Sequence, residues 1–184
     1  MKKLMPFIFM FAAAGLYAQD VTGFWRTFDE KTKEAKSLVA IYEYKGSIFG
    51  RVVMTYEPGS DGKTVRDTLD NPAHDAAKNV VRTVDGKEVI AKIAGLDFIW
   101  DMKKSDGKDW VYDSGFILDP KSGGLYKAKF KFDGADKLVV KGHLKISSLL
   151  GRSQTWNRFN AADFPAGVKA PDYKNFVPDL PIVK

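Results

Sequence analysis

From Val21 onward, apolar and polar residues alternate with a period of two, the spacing of strands with one dry face and one wet face. In "GGLYKAKFKFDGADKLVVKGHLKI", Tyr126, Ala128, Phe130 and Phe132 fall on one face, and Lys127, Lys129 and Lys131 fall on the other. Asp133-Gly134 marks a turn, after which Leu138, Val140, Leu144 and Ile146 resume the apolar face opposite Lys141, His143 and Lys145. Lys45-Gly46 and Asp106-Gly107 punctuate two further hairpins in the same way.

These runs predict eight strands, near residues 22–28, 37–45, 47–56, 97–104, 110–119, 124–133, 137–147 and 151–159. Consecutive hairpins without a long amphipathic helix predict an all-β chain, folded as a single eight-stranded antiparallel up-and-down barrel that leaves no sheet edge exposed. The interior of such a barrel either packs shut or holds one small ligand.

Two segments fall outside the alternation. Residues 57–95 form a long insertion between the third and fourth strands, with a helical turn expected at "NPAHDAAKN" and a small hairpin around Asp85-Gly86. Residues 160–184 carry Pro165, Pro171, Pro178 and Pro181 among Phe164, Tyr173, Phe176 and Leu180. Proline excludes regular helix there, and the apolar content predicts a strap docked on the barrel.

The chain opens "MKKLMPFIFMFAAAGLYAQD", a charged start, an apolar run and small residues, the layout of a secretory signal peptide. Cleavage is expected after Ala18, with Ala14 as the alternative because Leu16 is bulky for the minus-three position. The expected parts are therefore a signal peptide over 1–18, a barrel domain over 19–159 and the strap over 160–184. The apolar run falls short of the roughly 20 residues of a membrane span, and no later segment approaches that length. A periplasmic or secreted protein without a transmembrane segment is expected.

The chain contains no cysteine, which excludes disulfides, thiolate metal sites and a cysteine nucleophile. The formal charge is +6, or +4 without Lys2 and Lys3, and the lysines are scattered among carboxylates. "KAKFKF" reads as the wet face of a strand rather than a phosphate track, so no nucleic-acid partner is expected. No P-loop, Gly-x-Ser-x-Gly elbow, dinucleotide fingerprint or zinc motif occurs, so neither cofactor nor metal is implied. His143 is placed on the solvent side, and His74, beside Asp75, is placed at a loop contact or helix cap. Asp119, before Pro120, reads first as a turn residue accepting backbone hydrogen bonds.

The strand "GRSQTWNRF" is unlike the others, since Arg152, Gln154, Trp156 and Arg158 share one face. Together with Gly-Phe-Trp at 23–25, Asp119-Pro120, Tyr126, Lys141-Gly142 and Leu150 to Trp156, it makes the chain resemble the DUF2147 family of exported bacterial proteins. That resemblance implies export and a small β-rich fold, with no established activity. Many such proteins carry a cysteine pair after the third strand, which this chain lacks, so a redox or metal role for the insertion has no support here. Gly23, Trp25 and Arg158 also resemble the pattern of lipocalin-like (calycin) barrels, which implies barrel closure by a guanidinium laid over an indole.

Alternation places Trp25, Tyr42, Tyr44, Trp100 and Phe116 inside, with Tyr126, Phe130, Phe132 and Trp156. Candidate ligand-binding residues are Arg152, Gln154, Trp156, Trp100, Tyr126, Tyr42 and Phe130, with Arg152 the anchor for an anionic head group. Three readings stay open: a barrel binding a small apolar or amphipathic ligand, a solid envelope module with a protein partner, and a motif-less isomerase or cyclase.

Overall fold

The computed structural model describes residues 20–107 and 111–184; the expected signal peptide lies outside the described residues. The strands are β1 (Gly23–Phe28), β2 (Ala35–Tyr44), β3 (Ser47–Tyr56), β4 (Val65–Thr68), β5 (Val80–Val84) and β6 (Lys87–Ile90). They continue as β7 (Asp97–Lys104), β8 (Val111–Leu118), β9 (Leu125–Phe132), β10 (Lys137–Leu144), β11 (Ser147–Phe159) and β12 (Ile182–Val183). No helix among the described residues is long and apolar enough to cross a membrane.

Eight strands close into an antiparallel barrel in the order β1, β2, β3, β7, β8, β9, β10, β11, with β11 pairing back onto β1. Strands consecutive in this order are joined by hairpins except β3 and β7, between which the insertion runs, while β11 and β1 meet only by closing the ring. Its β4 extends from β3, while β5 and β6 form the hairpin whose turn, Asp85-Gly86, takes the positive φ angles its sequence predicts. The segment "NPAHDAAKN" forms no helix; it crosses irregularly and bridges Asp75 to Lys92, because its amide groups bond to other segments. Ala76 donates to the Ala91 carbonyl and Ala77 to that of Pro120.

Antiparallel order puts the start of β1 at one end of the barrel and the insertion, the β1–β2 loop and the β10–β11 hairpin at the other. At this second end the insertion acts as a plug. Its Ala76, Val80, Ala91 and Leu96 belong to the same apolar cluster as Phe98, Phe130 and Trp156 of the barrel wall.

A second apolar cluster lies outside the wall. Phe24, Leu38, Ala40, Val53, Met54 and Phe159 face outward, and residues 160–184 cover them. Phe24 meets Phe164 and Tyr173 edge-on, with ring centroids 5.0 and 5.1 Å apart. The unbroken run "LVAIY" in β2 has this cause: with strap on one side and barrel core on the other, both faces are dry.

The strap is locked by a buried ion pair. Asp97, 0% exposed, accepts from Arg51 through Nε at 2.9 Å and Nη2 at 2.6 Å, from the Tyr42 hydroxyl at 2.8 Å and from the Asp179 amide at 2.7 Å. Arg51 Nη2 also donates to the Val177 carbonyl at 2.7 Å, and its guanidinium lies 4.5 Å from the Phe176 ring centroid. Burial and the Asp97 charge push the Tyr42 phenol up, so it stays a donor. Beyond this point β12 pairs with β5, tying the strap to the insertion as well.

Replacing Arg51 by alanine leaves the Asp97 charge buried without its cation, so urea unfolding is expected to show a loss of about 3–5 kcal/mol. Limited proteolysis of that variant is expected to cut within residues 176–184 well before the barrel. Tyr42→Phe, which deletes one hydrogen bond, is expected to cost only about 1–2 kcal/mol.

Candidate functional site

The barrel interior and its insertion-covered end form the candidate site. Trp25 and Phe130 are 0% exposed and Trp156 is 2% exposed, and all three lie in one cluster with Ile41, Val52, Met102 and Leu138. Trp156 lies 6.2 Å from the Phe98 ring and 6.4 Å from Phe130, while Trp25 lies 6.1 Å from Phe132. Protein groups already answer both indole N–H groups. Trp25 Nε1 donates to the Val21 carbonyl at 2.9 Å, and Trp156 Nε1 to Gln154 Oε1 at 3.2 Å. Gln154 in turn donates to Glu30 Oε1 at 3.0 Å, which fastens the β1–β2 loop to the mouth.

At the other end, Arg158 and Trp25 are register partners on β11 and β1. The Arg158 guanidinium lies 4.3 Å from the indole centroid, and its Nη1 and Nη2 donate to the carbonyls of Thr22 and Asp20 at 3.2 and 2.8 Å. Gly23 sits at φ 123°, where a Cβ would press on Arg158, so glycine lets the chain turn across the barrel base. One stack thus seals this end and orders the incoming segment.

The structure separates the other candidates. Tyr126 and Phe130 lie on the inner register of β9, with Tyr126 partly exposed towards the mouth. Tyr42 faces outward into the strap, not the barrel, because it belongs to the dry outer face of β2. Trp100 pairs with Phe116, and Lys127 Nζ lies 3.8 Å from the Phe116 centroid, so this stack also sits on the outer wall. Bulges in β7 and β8, marked by positive φ at Asp101 and Ser114, break the alternation from which an inward Trp100 was expected. Arg152 is exposed at the rim and has no buried setting that would make it an anchor.

Leu144 and Ile146 likewise leave the inner face, because Lys145-Ile146 forms the turn. His143 pairs with Gly151 but Leu144 pairs with Ser147, so residues 148–150 loop out of the ladder. Gly151 is required there, since a Cβ would collide with the Gly142 carbonyl oxygen.

His74 makes a loop contact, and its partner is Asp67. Its Nδ1 lies 2.9 Å from the Asp67 carboxylate, and Arg66 Nε donates to its Nε2 at 2.9 Å. Arginine can only donate, so Nδ1 carries the proton and the lone pair a general base would use is taken. The group is a pin joining β3, β4 and the insertion, with Thr55 and the Ala73 amide also donating to Asp67 at 2.7 and 2.8 Å. Asp119 accepts from the Lys121 amide at 3.0 Å and the Ser122 hydroxyl at 2.7 Å, holding a turn. No cluster of potential metal ligands occurs among the described residues.

Arg51, Asp97 and Asp67 escaped the sequence reading. Their signal was a charge embedded in a buried run: Arg51 inside "SIFGRVVMTY" and Asp97 directly before "FIW".

Fold and interior together define a lipocalin-like β-barrel. A protein from Helicobacter pylori described as belonging to the lipocalin family shares this fold, with a TM-score of 0.57 and 14% identity over 78% of this chain and 86% of that one. Residues 23–158 match the family of uncharacterized proteins conserved in bacteria, DUF2147, and the chain belongs to that family. No curated protein matches.

Burial opposes the Asp67 charge, but hydrogen bonds from His74, Thr55 and backbone amides outweigh it and hold the carboxyl at about 2, below its ordinary 3.8. The folded state therefore binds fewer protons than the unfolded chain between these values. This contribution, on the order of 2 kcal/mol, is full above about pH 4 and disappears as pH falls through 2. Asp67→Asn is expected to lower stability at pH 7 and to flatten the acid limb of a stability–pH profile measured by urea unfolding.

Proposed function

We propose that this protein is an interaction module of the bacterial envelope: a solid barrel that serves as a scaffold, with its function on surfaces outside the barrel. The observation that carries this reading is the interior itself, filled by Trp25, Phe130, Phe132 and Trp156, whose indole donors are already paired. A carrier site needs apolar space and a few polar groups left to orient a ligand. Here Gln154, the polar group nearest Trp156, is committed to the indole and to Glu30. The leader-like start of the chain supports an exported location.

A second reading is a barrel that binds a small apolar or amphipathic ligand. It is favoured by the fold shared with the H. pylori lipocalin-family protein and by the apolar interior that residues of the insertion close at one end. Thermal melting against a panel of fatty acids, lysolipids and apolar dyes distinguishes the two. The scaffold reading predicts an unchanged midpoint throughout. A ligand held at a hundred times its dissociation constant would raise it by roughly 5–10 °C, and such a rise, lost on Gln154→Ala, would establish the carrier instead.

A further inference from the structure

The surface beside the plugged end brings together two features that the barrel does not require. The first is an apolar tip. Ile146 is 87% exposed and Leu149 is 86% exposed, with Leu150 and Leu144 also exposed beside them. They sit on a hairpin that outruns its neighbours, since β9 pairs with β10 only as far as His143, and residues 148–150 loop free of the ladder. An aliphatic group this exposed stays in water at a cost of about 25 cal/mol per Å².

The second feature is a cationic wall leading to that tip. Register pairs Lys129 with Lys141 and Lys127 with His143 on the outer face, with Lys131 following along β9. Lys145 occupies the turn beside Ile146, and Arg152 is exposed at the rim. Neither Lys121–Phe132 nor Lys137–Arg158 contains a single aspartate or glutamate. Lys127, Lys129 and His143 line an open depression of about 440 Å³. Its one acid, Asp113 from β8, already accepts from the hydroxyls of Ser105 at 2.7 Å and Ser114 at 3.1 Å.

A projecting aliphatic tip backed by cations is complementary to an anionic lipid bilayer, where acyl chains take the leucines and head-group phosphates take the lysines. A soluble acidic partner would match the lysines but leave Ile146 and Leu149 in water. We propose that this protein docks peripherally on anionic membranes through the β10–β11 hairpin, with Ile146, Leu149 and Leu150 entering the interface and Lys127, Lys129, Lys141 and Lys145 engaging head groups. This proposal rests on the reading that function lies outside the barrel, and it names the partner of that outer surface.

The cysteine-free chain allows a direct test. Leu149→Cys labelled with an environment-sensitive fluorophore is mixed with vesicles of phosphatidylcholine alone, or with about one third phosphatidylglycerol. The label is expected to brighten and shift to the blue with the anionic vesicles, and binding is expected to weaken as salt rises. The same label at Lys45→Cys, in the turn at the opposite end, is expected to stay silent. In unlabelled protein, the pair Ile146→Asp and Leu149→Asp is expected to weaken vesicle co-sedimentation by at least about tenfold with an unchanged melting temperature, because both side chains are almost fully exposed. Lys129→Glu with Lys141→Glu is expected to abolish the preference for anionic vesicles.

A silent label at Leu149, or wild-type co-sedimentation by the double aspartate variant, would overturn the proposal. So would binding to a soluble polyanion such as heparin with no response to vesicles. Vesicle results and ligand titrations are independent: a barrel that binds no ligand but ignores vesicles refutes the docking alone, whereas a ligand found in the barrel refutes the scaffold reading alone.

Discussion

A carboxylate removed from water must be repaid in hydrogen bonds, and Asp97 shows how much of a fold can be organised around that requirement. It lies where the insertion re-enters the barrel at β7, and its two oxygens take four donors: two from Arg51 on β3, the Tyr42 hydroxyl on β2 and the Asp179 amide in the strap. Three distant parts of the chain therefore meet at one charge. Arg51 extends the junction by donating to Val177, and the guanidinium closes over Phe176. Because β12 then pairs with β5, the position of the insertion also depends on this junction.

The strap explains a feature that a simple barrel would not have. β1, β2 and β3 are apolar on both faces, and without residues 160–184 the outer one would lie open to water. The inner face faces its own constraint. Two tryptophans and several phenylalanines occupy the space of an eight-stranded barrel, Arg158 seals one end over Trp25, and the insertion plugs the other. On the outer surface, β9 and β10 carry an acid-free, lysine-bearing wall that ends in an aliphatic tip.

The barrel was legible because its strands obey strict alternation between clear turn signals. Lys45-Gly46, Asp85-Gly86 and Asp106-Gly107 all place glycine at positive φ, as a tight hairpin turn requires. The stacking of Arg158 on Trp25 was expected from the resemblance of Gly23, Trp25 and Arg158 to the lipocalin-like pattern. Legibility failed where alternation was interrupted or where both faces of a strand are dry. Bulges at Asp101 and Ser114 turned Trp100 outward, and a looped-out segment before Gly151 moved Ile146 into the turn. In β2 alternation holds, but both faces are apolar, so the pattern did not tell which one carries Tyr42. No local pattern reveals that Phe176, far downstream, will cover the outer face of β2 at Tyr42. The continuous run "LVAIY" and the lone Arg51 within β3 were the available signs, and they become readable once two dry faces are considered.

A barrel filled by its own side chains has no room for a bound ligand. Native mass spectrometry of the full-length protein, purified without denaturation or detergent, measures this directly. The expected mass is that of the bare chain, identical before and after organic-solvent denaturation. A stoichiometric adduct of defined mass, present natively and lost on denaturation, would contradict it.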